Sequence, residues 1–562
     1  MVGASSQRSS RSIISALVIT ILLPAAALLL DLVFRPIAAD AAAPQDPAAL
    51  IRTALQTPDN PVVDGIALDR RLLTEVYQAR NFAPIWAAVP AMTTSFVEAL
   101  RAAESEGIAP DQSGANAVGV ALADPAVTET ERELLLTDRY LAYTRVLTQG
   151  AVAPADFEAD WAVPRPSFDP VQAVAAMSQQ ADLGPVLSAM APSSPQYGAL
   201  KDALQRYRTM DAGGGWQALA SGPSREPGMV GPSILALRER LAAEGDLPTA
   251  GADTYDPTVT AAVRHFQARH GLTEDGRVGT ATLRALNVAA SDRIEQIGLN
   301  LERLRSLPHT SPATRIEVNV AAATLTLYRE GRPVLTSRVI VGAPRHPTPV
   351  FTAEAVAVLL NPPWNVPSSI VRNELQPAMR RSPDYLARNH LALLGPGVVD
   401  PQGRDIDWRS TTVLGRGWRV QQAPGSWNAL GRIKLELPNP FDVYLHDTPA
   451  KALFALPVRA LSHGCIRVEA VHQLAETLLG RPGDMIDQAI DAGATLRLPL
   501  PSSVPVELLY LTAFVDPDGT VEFRDDIYGR DGRLAAALAK RKSGQKPLAV
   551  PGPSASIACS VG

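Results

Sequence analysis

Apolar residues recur at steps of three and four through most of the first 215 residues, a spacing that predicts helices. Ala49 to Leu55, Leu72 to Ala79 and Phe96 to Ala103 each carry it, the last ending near Gly107 and Pro110. Glu131 to Leu147 is longer, with Leu134, Leu135, Asp138, Leu141 and Arg145 sorting onto two faces. Leu200 to Tyr207 continues the style. The stretch Tyr77-x-x-Arg80-x-Phe82-x-Pro84-x-Trp86 reads as aromatic core packing. Gly213 to Gly215 and Pro223 to Pro227 then mark a linker.

A compact three-helix pattern follows over residues 228–288. Ile234, Leu237 and Leu241 give one face; Asp256-Pro257 has the chemistry of an N-cap followed by a first-turn proline. The helix it opens carries Val259, Val263 and Phe266 and ends at Gly271, and Thr280 to Leu286 makes the third. Ser291 to Leu307 is a further amphipathic helix, with Ile294, Ile297, Leu301 and Leu304 on one side. Beyond Pro308 the period changes to two. Arg315 to Val320, Ala323 to Arg329 and Pro333 to Val341 alternate, with Glu330-Gly331 as a hairpin turn. Ala353 to Asn361, Gly431 to Leu437, Asp442 to His446 and Ala494 to Leu498 are further strands, and Val506 to Val515 with Val521 to Arg524 forms a last hairpin. Residues of about 366–410 are proline-rich and helical in patches, an insertion over the β core. From Arg467 the positions Val468, Val471, Leu474, Ala475, Leu478 and Leu479 predict a helix stopped by Gly480 and Pro482. The fold class expected is multidomain α+β.

Composition narrows the class. The 562 residues suggest about three to four domains. Charged residues are 19%, hydrophobic ones 46%, and the net charge is −5, a globular balance without the basic excess of a nucleic-acid binder. Arg8 and Arg11 precede an almost wholly apolar run from Ile13 to Leu30, and Ala39-Asp40-Ala41 offers a small-x-small cleavage pattern. A cleaved signal peptide and an uncleaved membrane anchor are both open, and either exports the bulk of the chain. Past Asp531 the chain turns basic and then low in complexity, so 532–562 is expected to be a disordered tail.

Export sharpens the chemistry. The chain holds two cysteines, and Cys559 sits in a Pro/Ser/Ala-rich tail, so Cys465 is expected to be a working thiol rather than half of a disulfide. It lies in Ser462-His463-Gly464-Cys465-Ile466-Arg467, at the start of the helical pattern, where the macrodipole and Arg467 favour a thiolate. A histidine brought near it would complete the minimal apparatus for acyl transfer, and both His463 and the upstream His446 are candidates. Gly464 would let the backbone pass tightly and turn the Gly464 and Cys465 amides toward an oxyanion. Tyr444 shares a strand face with His446 and is either a hydroxyl donor or a core residue. Arg467 either binds a substrate carboxylate or caps its helix, and Ser462 tunes the site by hydrogen bonding. Trp364, Trp408 and Trp418 are cleft walls or core packing. Neither metal-ligand spacing nor a glycine-rich phosphate loop occurs, so no metal or cofactor is expected.

Several motifs carry family resemblances. Tyr255-Asp256, Ala262-Val263-x-x-Phe266-Gln267, His270-Gly271-Leu272, Asp275-Gly276-x-Val278-Gly279 and Leu286-Asn287 resemble the three-helix peptidoglycan-binding module. His446, followed by Ser462-His463-Gly464-Cys465-x-Arg467, resembles the L,D-transpeptidases. So do Asn361-Pro362-x-Trp364-Asn365-Val366-Pro367, Asn428-x-Leu430-Gly431-Arg432, Leu445-His446-Asp447-Thr448-Pro449 and Ile527-Tyr528-Gly529-Arg530-Asp531, which are similar to the large exported subgroup with a helical scaffold. The resemblance implies Cys465 as nucleophile, His446 as general base and acid, and Trp364, Asn428 and Arg467 as substrate-binding. It divides the chain into 1–43 (signal or anchor), 48–215 (helical scaffold), 226–290 (peptidoglycan-binding), 312–500 (β-rich catalytic domain with a helical lid), 501–531 (closing hairpin) and 532–562 (tail). The activity implied is 3→3 cross-linking of donor and acceptor stem peptides through a thioester, in the periplasm or cell envelope. Attachment of an envelope protein, hydrolysis of the thioester, and a non-catalytic wall-binding scaffold are the alternatives.

Overall fold

The computed structural model describes residues 46–109, 113–178, 180–249 and 251–542. The apolar N-terminal run, with its expected signal or anchor, lies outside them, as does the tail beyond Lys542. Among the described residues no helix is long and apolar enough to cross a membrane. Where the tail was expected to begin, Arg530–Lys542 is instead a helix, its Leu534 and Ala537 buried against Val152, Phe157 and Leu299.

The described residues from 46 to 212 are mostly helical around one long element, Glu129–Gln149, opened by a capping box between Thr128 and Glu131. Its buried Glu133 explains the aromatic stretch upstream. The backbone amides of Ile85 and Trp86 and the Tyr77 hydroxyl all donate to that carboxylate, while the Trp86 indole donates to Thr137. Burial raises the Glu133 pKa, and these donors oppose the rise.

The three-helix unit has its own core, with Ile234, Leu237, Leu241, Val259, Val263 and Phe266 inside. Asp256 caps Pro257–Arg269 through the Val259 amide. Charge ties this unit to its neighbours. Burial opposes ionisation of Glu244, yet Arg269, Arg240 and Arg293 hold its carboxyl down at about 2, and Tyr207 of the preceding helix donates to it. The helix Ala290–Arg305 buries more than the apolar stripe. Asn300 exchanges hydrogen bonds with Thr512, Arg303 pairs with Asp531, and Glu302 accepts from the amides of Ala151 and Val152.

Eight principal strands make the β core: β1 (Arg315–Asn319), β2 (Thr324–Arg329), β3 (Arg332–Gly342), β4 (Val350–Leu360), β5 (Ile433–Glu436), β6 (Leu445–His446), β7 (Ile466–Val468) and β8 (Leu496–Leu509). Their order is β5-β6-β7-β3-β2-β1-β8-β4, and β4 pairs back onto β5, closing the sheet on itself. Alternation puts Ile316, Val318, Leu325 and Leu327 inside. A short strand of the helical region, Trp161–Ala162, adds to β4 in parallel.

The insertion is larger and less helical than expected. It runs from Trp364 to Gln422 and holds a three-stranded sheet, in which Arg419–Gln422 lies between Trp364–Asn365 and Leu391–Leu394. Short helices and a π-helical turn at Val371–Leu375 cover it, over a separate core that includes Met379, Leu386 and Trp408.

Arg530 clamps these parts together. It is 1% exposed, donates to Asp160 (2.5 Å) and to the Thr348 carbonyl (3.1 Å), and lies 3.6 Å from Glu158. Replacing it by methionine leaves the buried Asp160 without its cation and Glu158 with Arg533 alone, and urea denaturation is expected to show a loss of about 3 kcal/mol. Asp160→Asn in the same chain should restore part of it.

Candidate functional site

The site is built by strand register. β6 lies between β5 and β7, antiparallel to the first and parallel to the second, with His446 opposite Lys434 on one side and Arg467 on the other. Two cations therefore flank the imidazole. Burial pushes the His446 pKa down to about 3, Arg467 and then Lys434 act the same way, and the Asp447 carbonyl and carboxylate oppose them. His446 Nδ1 lies 2.5 Å from the Asp447 carbonyl, which accepts its proton and leaves Nε2 as the basic nitrogen. Asp447 is itself held by the Arg432 amide (2.9 Å) and by Lys451 (2.5 Å).

Cys465 immediately precedes β7 and is buried, with no disulfide among the described residues. Its Sγ lies 3.8 Å from the carbonyl of Asp442, a residue held at φ 51°. The expected helix N-terminus is displaced: the helix runs Val471–Leu479, and strand β7 intervenes. The macrodipole therefore does not act on Cys465, because its effect fades within the first turn. Charge comes from Arg467 instead, two positions along the same strand and therefore on the same face. Its guanidinium is mostly buried, which lowers its pKa, while interaction with Cys465 raises it. Because Arg467 lies in a strand, it caps no helix.

The turn before Cys465 is braced from several sides. The Ser462 hydroxyl donates to the Cys465 carbonyl (2.6 Å) and accepts from the Gly464 amide (3.1 Å). That second bond corrects the expectation that the Gly464 amide faces an oxyanion. Gly464 has φ +109°, open to glycine and strained for other residues. Its carbonyl accepts from Thr348 (2.8 Å), whose oxygen also takes the Gly342 amide (2.9 Å). The Tyr528 hydroxyl donates to the Gly342 carbonyl (2.6 Å). The chain Tyr528–Gly342–Thr348–Gly464 thus links the closing segment to the thiol.

Cys465, His446, Tyr444, Arg467, Gly464 and Ser462 are brought together. The Tyr444 ring meets His446 edge-on at 5.5 Å and carries Lys434 Nζ over its face at 4.0 Å. His463 turns away, with Nε2 2.6 Å from Glu374 of the insertion. Asn428 is fully buried and spends its amide on the Gln422 and Ala423 carbonyls and the Leu430 amide, so it braces a loop rather than meeting substrate. Trp408 is buried in the insertion's core and donates to Gly403; Trp418 donates to Pro396; Trp364 packs between the two cores. Thr348, Glu374, His346 and Lys434 had no signal in the sequence, since each acts through a partner far away in the chain.

Comparison with known proteins agrees with this architecture. Residues 313–496 match the family described as the L,D-transpeptidase catalytic domain, 230–286 a "Putative peptidoglycan binding domain", and 71–204 a scaffold domain. The chain thus carries an L,D-transpeptidase catalytic domain, with a scaffold domain and a peptidoglycan-binding domain ahead of it. A curated relative from Haemophilus influenzae, named "Putative L,D-transpeptidase", is 37% identical over 252 residues. The match covers 44% of this chain and 50% of that protein, so the chain spans about half the relative's length. Among solved structures, an L,D-transpeptidase from Xylanimonas cellulosilytica is 18% identical, covering 51% of this chain and 98% of its own, with a TM-score of 0.18. One from Stackebrandtia nassauensis is 14% identical, covering 51% and 94%, at 0.21. Superpositions that low carry no argument.

Two outcomes follow from the geometry. His446 has a folded pKa of about 3 against an ordinary 6.5, so the unfolded chain binds the extra proton. Stability is unaffected above 6.5 and is lost as pH falls from 6.5 toward 3, by up to about tenfold in the folding constant per pH unit. Denaturation at stepped pH should show a shallower loss for His446→Gln. Thr348→Val strips partners from two buried backbone groups and should cost about 1–3 kcal/mol, read by the same measurement.

Proposed function

We propose that the chain is a cysteine-dependent L,D-transpeptidase of the cell envelope that forms 3→3 peptidoglycan cross-links. The observation that supports the reading is the pairing of β6 with β7, in which His446 lies opposite Arg467 and Cys465 immediately precedes β7. His446 accepts the thiol proton, and Sγ attacks the carbonyl of the third residue of a donor tetrapeptide. The C–N bond to the terminal D-alanine breaks, and His446 returns the proton to the departing amine. A thioester on Cys465 remains. The side-chain amine of the diamino acid on a second stem then attacks it, His446 takes the amine's proton, and the thiol is restored with the new amide.

Arg467 favours the thiolate and the developing oxyanion, since both are anionic and it is the buried cation beside them. It also opposes a lasting imidazolium at His446, which keeps the base neutral at rest. The Tyr444 hydroxyl is the candidate second donor to the oxyanion. The peptidoglycan-binding unit would hold the catalytic barrel against its polymeric substrate.

Incubation with tetrapeptide-rich muropeptides, followed by mass spectrometry, is expected to give 3→3 dimers with the parent chain and none with Cys465→Ala. Tripeptides without dimers would mean that water resolves the thioester. Unchanged tetrapeptides with both chains would sink the reading. A carbapenem should add one covalent adduct to the parent and none to Cys465→Ala.

A further inference from the structure

The insertion holds a cavity of about 310 Å³. Arg372, Gln376 and Arg380 line it, spaced four apart along the helical run over residues 368–381, a spacing that puts side chains on one helix face. Thr412 adds a hydroxyl, and Val371, Pro377 and Leu414 add apolar surface. The volume is at the lower end of the range for small-ligand sites, and an apolar lining with a few convergent polar groups is their usual chemistry.

The lining is held before any ligand arrives. Gln376 is buried; its Nε2 donates to the Thr411 carbonyl (3.0 Å) and its Oε1 accepts from the Val413 amide (3.0 Å), which pins the segment carrying Thr412 and Leu414 to the helix. Arg380 Nε donates to the carbonyl of Trp408 (3.1 Å), whose ring is buried in the insertion's core and whose indole donates to Gly403. A guanidinium oriented in this way loses less freedom when it binds.

Charge decides what the cavity takes. Residues 364–422 contain eight arginines against five acidic residues, in a chain whose net charge is −5. Several of those acids are spent elsewhere. Asp400 accepts from the amides of Gln402 and Asp405, and Asp407 from the Arg409 amide and the Ser410 hydroxyl. Glu374, two positions from Arg372, pairs with His463 instead. Among the described residues neither Arg372 nor Arg380 joins an ion pair. A cleft lined by charge of one sign concentrates ligands of the other.

We infer that this cavity binds a stem peptide through its carboxylates, with Arg372 and Arg380 each taking one and Val371, Pro377 and Leu414 lying against the aliphatic chain between them. The choice of a stem peptide rests on the function proposed above; a bare phosphate would use the two cations and leave the apolar lining idle. The cavity and the nucleophile loop are served by different faces of one helix, since Glu374 meets His463 while Arg372 and Arg380 line the cavity. The stem held here is therefore a second one, not the one that Cys465 attacks. A wall polymer carries many stems, and holding one of them raises the effective concentration of its neighbours at the thiol.

The test is equilibrium dialysis of a radiolabelled stem tetrapeptide against the full chain carrying Cys465→Ala, so that no turnover intervenes. Adding Arg372→Gln with Arg380→Gln is expected to remove one binding site per chain. Each replacement alone should weaken that site about tenfold, the scale of one charge-assisted hydrogen bond. The Arg372 side chain makes no hydrogen bond among the described residues, so Arg372→Gln serves if loss of the Arg380–Trp408 bond unfolds the insertion. The same peptide with its carboxylates amidated should leave the site empty, and added salt should weaken the site in the chain that keeps both arginines. An unchanged number of sites and unchanged affinity in the double variant overturns the inference, as does equal binding of the amidated peptide. Tighter filling of the site by inorganic phosphate than by the peptide overturns the assignment to a stem. Dialysis reads binding alone, so failure here is distinguishable from absence of cross-linking by the parent, which is what would sink the transpeptidase reading.

Discussion

Parallel pairing of two very short strands, β6 and β7, is the constraint on which the site depends. Parallel neighbours cannot be joined by a tight turn, so the chain between them must leave the sheet and come back. The nineteen positions from His446 to Cys465 make that excursion and bring Cys465 back to the start of the strand that pairs with β6. The register then decides the electrostatics. Lys434 and Arg467 fall opposite His446 because β5 and β7 pair with β6 at those residues. Inside a closed sheet these charges act through a medium less screening than water, which is why a buried imidazole between two cations resists protonation so strongly.

Strands of two and three residues would not hold such a register alone. Their neighbours do. β3 and β5 pair with them on the outside, and the Thr348 hydroxyl stitches Gly342 to Gly464 from beneath. Tyr528 fixes Gly342, and Arg530, two residues on, reaches Asp160 in the helical region. The scaffold thus supports the nucleophile loop through a continuous set of hydrogen bonds. The helix Ala290–Arg305 works in the same direction, joining the amides of Ala151 and Val152 to the closing hairpin through Glu302 and Asn300. Buried charges of this kind are hard to break one at a time, because each removal strands its partner.

The insertion stands apart from this bracing. Its core is separate, and its π-helical turn presents Glu374 to His463 across partly solvated space. A barrel covered by an insertion with its own core would suit the proposed reaction, which admits a bulky donor and then a second bulky acceptor.

The sequence by itself determined the local elements. The alternation of Ile316 with Val318 and Leu325 with Leu327, the Asp256-Pro257 cap, the Gly480 stop and the three-helix unit are all short-range physics and were legible. The motif around Cys465 was legible too, as was its connection to His446, through family resemblance. Tertiary structure alone decided what the motif residues do. Arg467 looked like the start of a helix because Val468 fits the helical stripe, yet pairing with β3 draws Ile466–Val468 into the sheet. The resemblance implied that Asn428 binds substrate, but it is buried and its amide bonds the Gln422 and Ala423 carbonyls and the Leu430 amide. The Gly464 amide, assigned to an oxyanion, belongs to Ser462, and His463 pairs with Glu374 of the insertion. Each of these outcomes rests on a partner between two residues away, as for Gly464 and Ser462, and 127 away, as for Arg467 and Ile340. Periodicity sees only neighbours along the chain, whereas hydrogen-bond and charge partners are chosen by which surfaces the closed sheet brings together.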